Sequence, residues 1–126
     1  MPIYIYNSNI EDHTEHKNNY PIYRPYQLSN PYTWNGKKSS LAKLSFETKK
    51  EALDTYRIYF RKMYEMDKYF KEEVDEIYEK YKNGETIYLQ CFCGDGDCHG
   101  NIIRDELQQR LIKEKFNEIK KEKQQN

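Results

Sequence analysis

The sequence predicts a small α/β layer domain, a short and mostly parallel sheet packed by three or so helices. Two runs rich in β-branched and aromatic residues, 2–6 and 85–93, have strand character. Three other stretches repeat apolar residues with the 3.6-residue period of amphipathic helices. Their order (strand, helices, strand, helix) is the one that sets helical layers against parallel strands. At 126 residues the chain suits one domain spanning 1–126, with a single modest core.

In chain order, "PIYIY" at 2–6 is the first strand. Residues 7–19 lack any period and are rich in loop formers, which predicts an exposed loop; His13 and His16, beside Glu11, Asp12 and Glu15, read as solvated. Three prolines within 20–34 exclude a regular helix, while the aromatics there predict an ordered, extended segment lying on the protein, turning at "SNPY". "NGKKSS" reads as a flexible turn. Thr48 and Glu51 form a capping box that opens a helix with Leu53, Tyr56, Phe60 and Met63 on one face. A second helical stretch, about 67–82, carries Phe70, Val74, Ile77 and Tyr81 and stops at Asn83-Gly84. The pattern leaves open whether the two join through "YEMD". "ETIYLQCFC", 85–93, is the strongest strand, and its nearly continuous apolar character predicts cover on both faces. Ile103, Leu107, Leu111 and Ile119 mark a last helix of about 99–122, with a frayed tail over 120–126. Ile112, Phe116 and Ile119 also form a stripe that allows a homo-oligomer, although a monomer's core would need the same positions.

The apolar fraction is only 37%, but thirteen tyrosines and five phenylalanines supply large surfaces, so aromatic rings should carry much of the burial. Lys plus Arg equal Asp plus Glu at 21 each, which removes the broad basic field needed for strong non-specific nucleic-acid binding. No apolar run reaches the roughly 18 to 20 residues of a membrane span, and the start lacks the regions of a signal peptide. A cytoplasmic protein is expected, its three cysteines serving as thiols or ligands.

All three cysteines fall in "LQCFCGDGDCHGNIIRDEL", residues 89–107, with one histidine and three glycines. Four readings compete. A zinc set of Cys91, Cys93, Cys98 and His99 is weakened by geometry, since residues i and i+2 of a strand sit about 6.6 to 7 Å apart. A smaller set from Cys93, Cys98 and His99 survives, but no metal ligand is assigned and no cofactor is expected. The string from Cys98 to Arg104 is similar to the phosphate loop of Cys-dependent phosphatases, with Cys98 as nucleophile at a helix N-terminus; Asp95 and Asp97 put negative charge where an anion would dock. The bland reading makes Cys91 and Cys93 small buried strand residues, Asp97 a helix cap, and Gly94, Gly96 and Gly100 points where the chain turns and packs. It leaves His99 unexplained, a titratable group at the C-terminal mouth of a strand, where open α/β sheets hold ligands and a helix N-terminus favours anions.

"PIYRPYQLSNPYTW" followed some sixty residues later by "IYLQCFCGDGDCHGNII" resembles the two signature blocks of the domain of unknown function 4326 family, over roughly Ile22 to Leu111. Arg24, Leu28, Asn30 and Pro31 match the first block, Thr55 to Arg57 a helical Tyr-Arg pair, and Cys91, Cys93, Cys98, His99 and Gly100 the last block. Tyr23 and Ser29 stand where the family usually has glycine, and Gly96 or Asp95 replaces a proline. The resemblance implies a compact, Rossmann-like domain whose two blocks meet at one site, and it fixes no reaction. It also implies a phage or bacterial setting, so that a phage product acting in the host cytoplasm, as a counter-defence that sequesters or degrades a signalling nucleotide, is one expectation.

The expected pocket lies between the Arg24/Asn30 segment and the CHG junction and takes a nucleotide-like or phosphorylated small molecule. Its expected ligand-binding residues are Arg24, Asn30, Trp34, Arg57, Cys93, Asp95, His99 and Gly100. Arg24 is a fork donor for phosphate or carboxylate, Asn30 reads a base or ribose edge, and Tyr26, Tyr32 and Trp34 offer stacking faces. The alternative for Arg24 is a structural pair with Asp95 or Asp97, and for Arg57 a solvated face beside Arg61. An enzyme with Cys98 or His99 as nucleophile or general acid/base is the second expectation, and an interaction module with a structural junction, with or without zinc, the third.

Overall fold

A computed structural model of the protein describes residues 3–23, 26–34, 44–46, 48–91 and 98–124, of which 32–34, 44–46, 49 and 122–124 are described by their backbone alone. Among these residues the chain forms β1 (Ile3–Asn7), β2 (Asn19–Pro21), β3 (Tyr32–Trp34), β4 (Leu44–Phe46), α1 (Lys49–Met66), α2 (Lys68–Lys82), β5 (Ile87–Cys91) and α3 (His99–Gln124). The small α/β class is therefore observed.

The main sheet has the order β1-β5-β2 with every pairing parallel. Strand β5 lies in the middle, and its residues alternate. Ile87, Leu89 and Cys91 enter the core with Ile3, Tyr20 and Ile22, as the two-residue period requires. Tyr88, on the other face, stacks on His13 with ring centroids 4.3 Å apart and meets His16 at 4.8 Å. The segment expected as an exposed loop is thus mostly exposed but also serves as cover for that second face. Asn18 within it is 1% exposed and donates to the Thr86 carbonyl at 2.9 Å. Beneath it Tyr6 donates to Asn19, Asn19 to the Gln90 side chain at 3.0 Å, and Gln90 to Ser8 at 3.0 Å. Cover on both faces of β5 was expected from its apolar run; a polar loop supplies one half of it.

The extended segment contains two short strands that period alone did not separate. β2 joins the main sheet, and β3 pairs parallel with β4 in a second, two-stranded sheet. The turn falls earlier than "SNPY": the Ser29 N–H bonds the Tyr26 carbonyl at 3.0 Å, and Asn30 and Pro31 lead directly into β3. The "NGKKSS" turn lies outside the described residues.

The helices follow their local signals. Thr48 caps α1 by accepting from the Glu51 N–H at 3.2 Å. Asp67 settles the question left at "YEMD", because its backbone N–H closes α1 on Met63 while its side chain accepts from the Tyr69 and Phe70 N–H groups to open α2. Gly84 ends α2 at φ 89°, a conformation that glycine adopts without a Cβ penalty. Phe70, Val74, Ile77, Tyr78 and Tyr81 of α2 are buried, as are Tyr56 and Phe60 of α1 and Ile102, Ile103, Leu107 and Leu111 of α3. Helix α3 runs to Gln124, its last turns rich in the good helix formers lysine, glutamate and glutamine. One expectation about it is corrected. Ile119 is not on the core stripe; with Ile112 and Phe116 it is exposed, because a 100° step per residue turns it about 120° away from Leu107 and about 80° away from Leu111. No helix among the described residues is long and apolar enough to cross a membrane.

Candidate functional site

All three strands of the main sheet end at one edge. Asn7 stands opposite Cys91 and Pro21 opposite Gln90, and the next residues still bond the central strand, Ser8 N–H to the Cys91 carbonyl and Ile22 N–H to the Gln90 carbonyl, both at 2.8 Å. Helix α3 begins at this edge. Gly100 in its first turn lies so close to the sheet that a Cβ there would stand 3.0 Å from both Ile22 Cδ1 and Ile5 Cγ2. The absence of a side chain is what lets the helix start against the strands.

His99 is 8% exposed, and its Nε2 lies 2.5 Å from the Ile22 carbonyl oxygen. A carbonyl only accepts, so Nε2 carries the proton, and in the neutral ring Nδ1 is then an acceptor. That Nδ1 faces Cys98 Sγ at 3.8 Å. Cys98 directly precedes α3, and its sulfur accepts the Gly100 N–H at 3.4 Å. The sequence pointed to Asp97 as the cap, and Asp97 is outside the described residues; among those described, Cys98 meets one first-turn N–H, that of Gly100. Cys98 Sγ also lies 3.3 Å from Cys91 Sγ, whose own thiol reaches the Tyr6 carbonyl at 3.5 Å.

Tyr56 joins a third part of the chain to this group. It is fully buried, its hydroxyl donates to the Leu28 carbonyl at 2.6 Å, and its ring meets the His99 ring edge-on at 5.1 Å. The segment around residues 22–31, helix α1 and the start of α3 are therefore held together by two side chains bonding main-chain carbonyls. Burial, first, together with nearby Tyr59, Cys98 and Glu73, holds the Tyr56 phenol well above its ordinary pKa, so it stays a donor. Tyr56 was expected only as part of the apolar stripe. Its hydroxyl has no periodic signature, though its place in the "TYR" match was the available clue.

The expected site residues divide into three groups. Cys98, His99 and Gly100 come together as described, and Asn30, 6% exposed, lies in the segment that Tyr56 anchors through Leu28. Arg24, Cys93 and Asp95 lie outside the described residues, and Trp34 is described only by its backbone in β3. Arg57 bonds carboxylates of α3: its guanidinium reaches Asp105 at 2.8 Å and Glu106 at 3.0 Å, tying α1 to α3, with Arg61 reaching the same Glu106 at 2.9 Å. Among the described residues no cluster of three or more His, Cys, Asp or Glu side chains is placed to hold a metal. A cavity of about 700 Å³ opens between the helices, lined by Phe60, Arg61, Tyr64, Glu106 and Arg110 among others, but it does not include the junction residues. Its arginines already bond carboxylates, Arg61 to Glu106 and Arg110 to Asp75.

A family model described as a domain of unknown function (DUF4326) matches residues 7–109. No curated protein and no solved structure matches the chain.

Proposed function

Starting from a chain that belongs to the domain of unknown function 4326 family, we propose that the protein binds a nucleotide-like or other phosphorylated small molecule at the carboxyl edge of its main sheet. The observation that carries this reading is the bond from His99 Nε2 to the Ile22 carbonyl. It ties the segment that runs on to Arg24 and Asn30 to the first turn of α3, beyond the ends of three parallel strands. Open α/β sheets bind ligands outside those strand ends, and a helix N-terminus supplies free N–H groups and a favourable dipole for an anion. Helix α3 leaving the central parallel strand at this edge also supports a Rossmann-like reading. In this proposal Arg24 clamps a phosphoryl group, Asn30 contacts the base or ribose, and Trp34, Cys93, Asp95 and Gly100 line the approach.

The test is incubation with a nucleotide panel, gel filtration, then denaturation and chromatography of what is released. A phosphorylated nucleoside returned intact is the expected result, with Arg24→Ala lowering retention by roughly tenfold or more, the loss of a charge-assisted fork. No retention by the wild-type protein, or equal retention by the variant, overturns the proposal.

A second reading has its own observation, the approach of His99 Nδ1 to Cys98 Sγ at 3.8 Å with Nε2 held by a carbonyl. An oriented base beside a thiol is the arrangement of an activated nucleophile. Under that reading the same experiment returns an altered nucleotide, and Cys98→Ser stops the alteration.

A further inference from the structure

Cys91 and Cys98 are seven residues apart in sequence, the first at the end of β5 and the second just before α3, and their sulfurs touch at 3.3 Å. Neither is in a disulfide, and they are 2% and 4% exposed. A bonded pair of sulfurs sits at about 2.05 Å, so the two need to close by only about 1.2 Å, a distance within reach of side-chain rotation. The surroundings differ for the two sulfurs. Cys98 lies at a helix N-terminus, receives the Gly100 N–H and has His99 Nδ1 at 3.8 Å, surroundings that favour a thiolate. Cys91 meets Cys98 and makes a long approach to the Tyr6 carbonyl.

We propose that Cys91 and Cys98 form a thiol–disulfide site, in which Cys98 is oxidised by a hydroperoxide and Cys91 resolves the product as an internal disulfide. In the first step the Cys98 thiolate attacks the peroxide; a sulfur–oxygen bond forms, the oxygen–oxygen bond breaks, and for hydrogen peroxide hydroxide leaves with the electron pair. In the second step the Cys91 sulfur attacks the sulfenic sulfur, the sulfur–sulfur bond forms, and the sulfenic oxygen leaves as hydroxide and takes up the Cys91 proton as water. Two thiols are oxidised, one peroxide is reduced, and the product has two hydrogens fewer than the starting protein. The new bond draws Cys98 Sγ away from the Gly100 N–H and from His99, so oxidation alters the first turn of α3 where the ligand proposal places its anion. Small oxidants are favoured because both sulfurs are buried. The inference does not depend on the ligand reading: it concerns the contact of two sulfurs.

The test treats the folded protein with hydrogen peroxide, then alkylates under denaturing conditions and maps the peptides without reduction. The expected product has lost two hydrogens, retains one alkylatable thiol of the original three, carries a single dominant Cys91–Cys98 link, and returns to three thiols with dithiothreitol. Cys91→Ser and Cys98→Ser each abolish that product. Cys93→Ser, which keeps the pair, still forms it, so the site remains testable if the other two variants fail to fold. A link that uses Cys93, an oxygen adduct on Cys98 without a disulfide, unchanged thiol content, or loss of the link in Cys93→Ser overturns the proposal.

Discussion

At the scale of single residues, the side chains that assemble the candidate site act by bonding main-chain carbonyls. His99 holds Ile22, and Tyr56 holds Leu28 while presenting its ring to His99. Such bonds are worth little while both partners are satisfied and much when one is removed, since the remaining buried group has no water to turn to. Tyr56→Phe keeps the packing and orphans the Leu28 carbonyl, and it should lower unfolding free energy by about 1–3 kcal/mol. Urea denaturation should show this as a lower midpoint with unchanged slope. An unshifted midpoint would mean that water or another donor replaces the hydroxyl. His99 stood out in the sequence as a polar residue at a strand mouth, whereas the role of Tyr56 was hidden. Apolar period reports that a ring is buried, but not where its oxygen points.

At the scale of elements, caps and inter-helix networks define the helical layer. Asp67 ends one helix and begins the next, its carboxylate accepting from the Tyr69 N–H at 3.0 Å and the Phe70 N–H at 3.1 Å. Asp67→Ala should cost about 1 kcal/mol, the usual loss for an N-cap, read as a drop in thermal midpoint with helical circular dichroism largely kept at 25 °C. Asp75 of α2 joins all three helices. It accepts from Lys71 at 2.7 Å, from Tyr64 of α1 at 2.6 Å and from Arg110 of α3 at 2.9 Å, while Arg110 stacks over the Tyr78 ring at 3.9 Å. Partial burial raises the Asp75 pKa, but hydrogen bonds from Lys71, Tyr64 and Arg110 outweigh it and pull the value down to about 2. An unfolded aspartate titrates near 3.9. The folded value is therefore the lower one, so the stabilisation is complete above about pH 4 and is lost as the pH falls toward 2. The stability gap between wild type and Asp75→Asn should accordingly be wide at pH 6 and narrow at pH 2.5. Urea titrations at the two pH values measure it, and a constant gap would remove Asp75 from the account.

At the scale of the whole molecule, the decisive contact is the seating of α3 against the sheet at Gly100. A methyl there would meet Ile22 and Ile5 side chains at 3.0 Å, and Ile5 Cγ2 is a methyl on a β-branched carbon with little freedom to move. Gly100→Ala should destabilise by about 1–3 kcal/mol through overpacking. Because α3 starts at this point, ligand retention should fall more steeply than stability alone explains when compared with a variant of equal stability such as Asp67→Ala. Much of this architecture was legible. The sequence by itself determined β1, β5 and the three helices, with Thr48 and Asn83-Gly84 as boundaries, because period and capping are local properties carried by neighbouring residues. It also singled out Cys98, His99 and Gly100, since their residue types and spacing are unusual wherever they fold. Only the tertiary structure decided that β5 lies between β1 and β2, that the 8–18 loop covers one face of the sheet, that Arg57 serves α3, and that Cys98 meets Cys91 while His99 meets Ile22. Strand order, a carbonyl partner and a sulfur–sulfur contact join residues up to 85 apart in the chain, and no local pattern encodes which distant group will be opposite once the layers close.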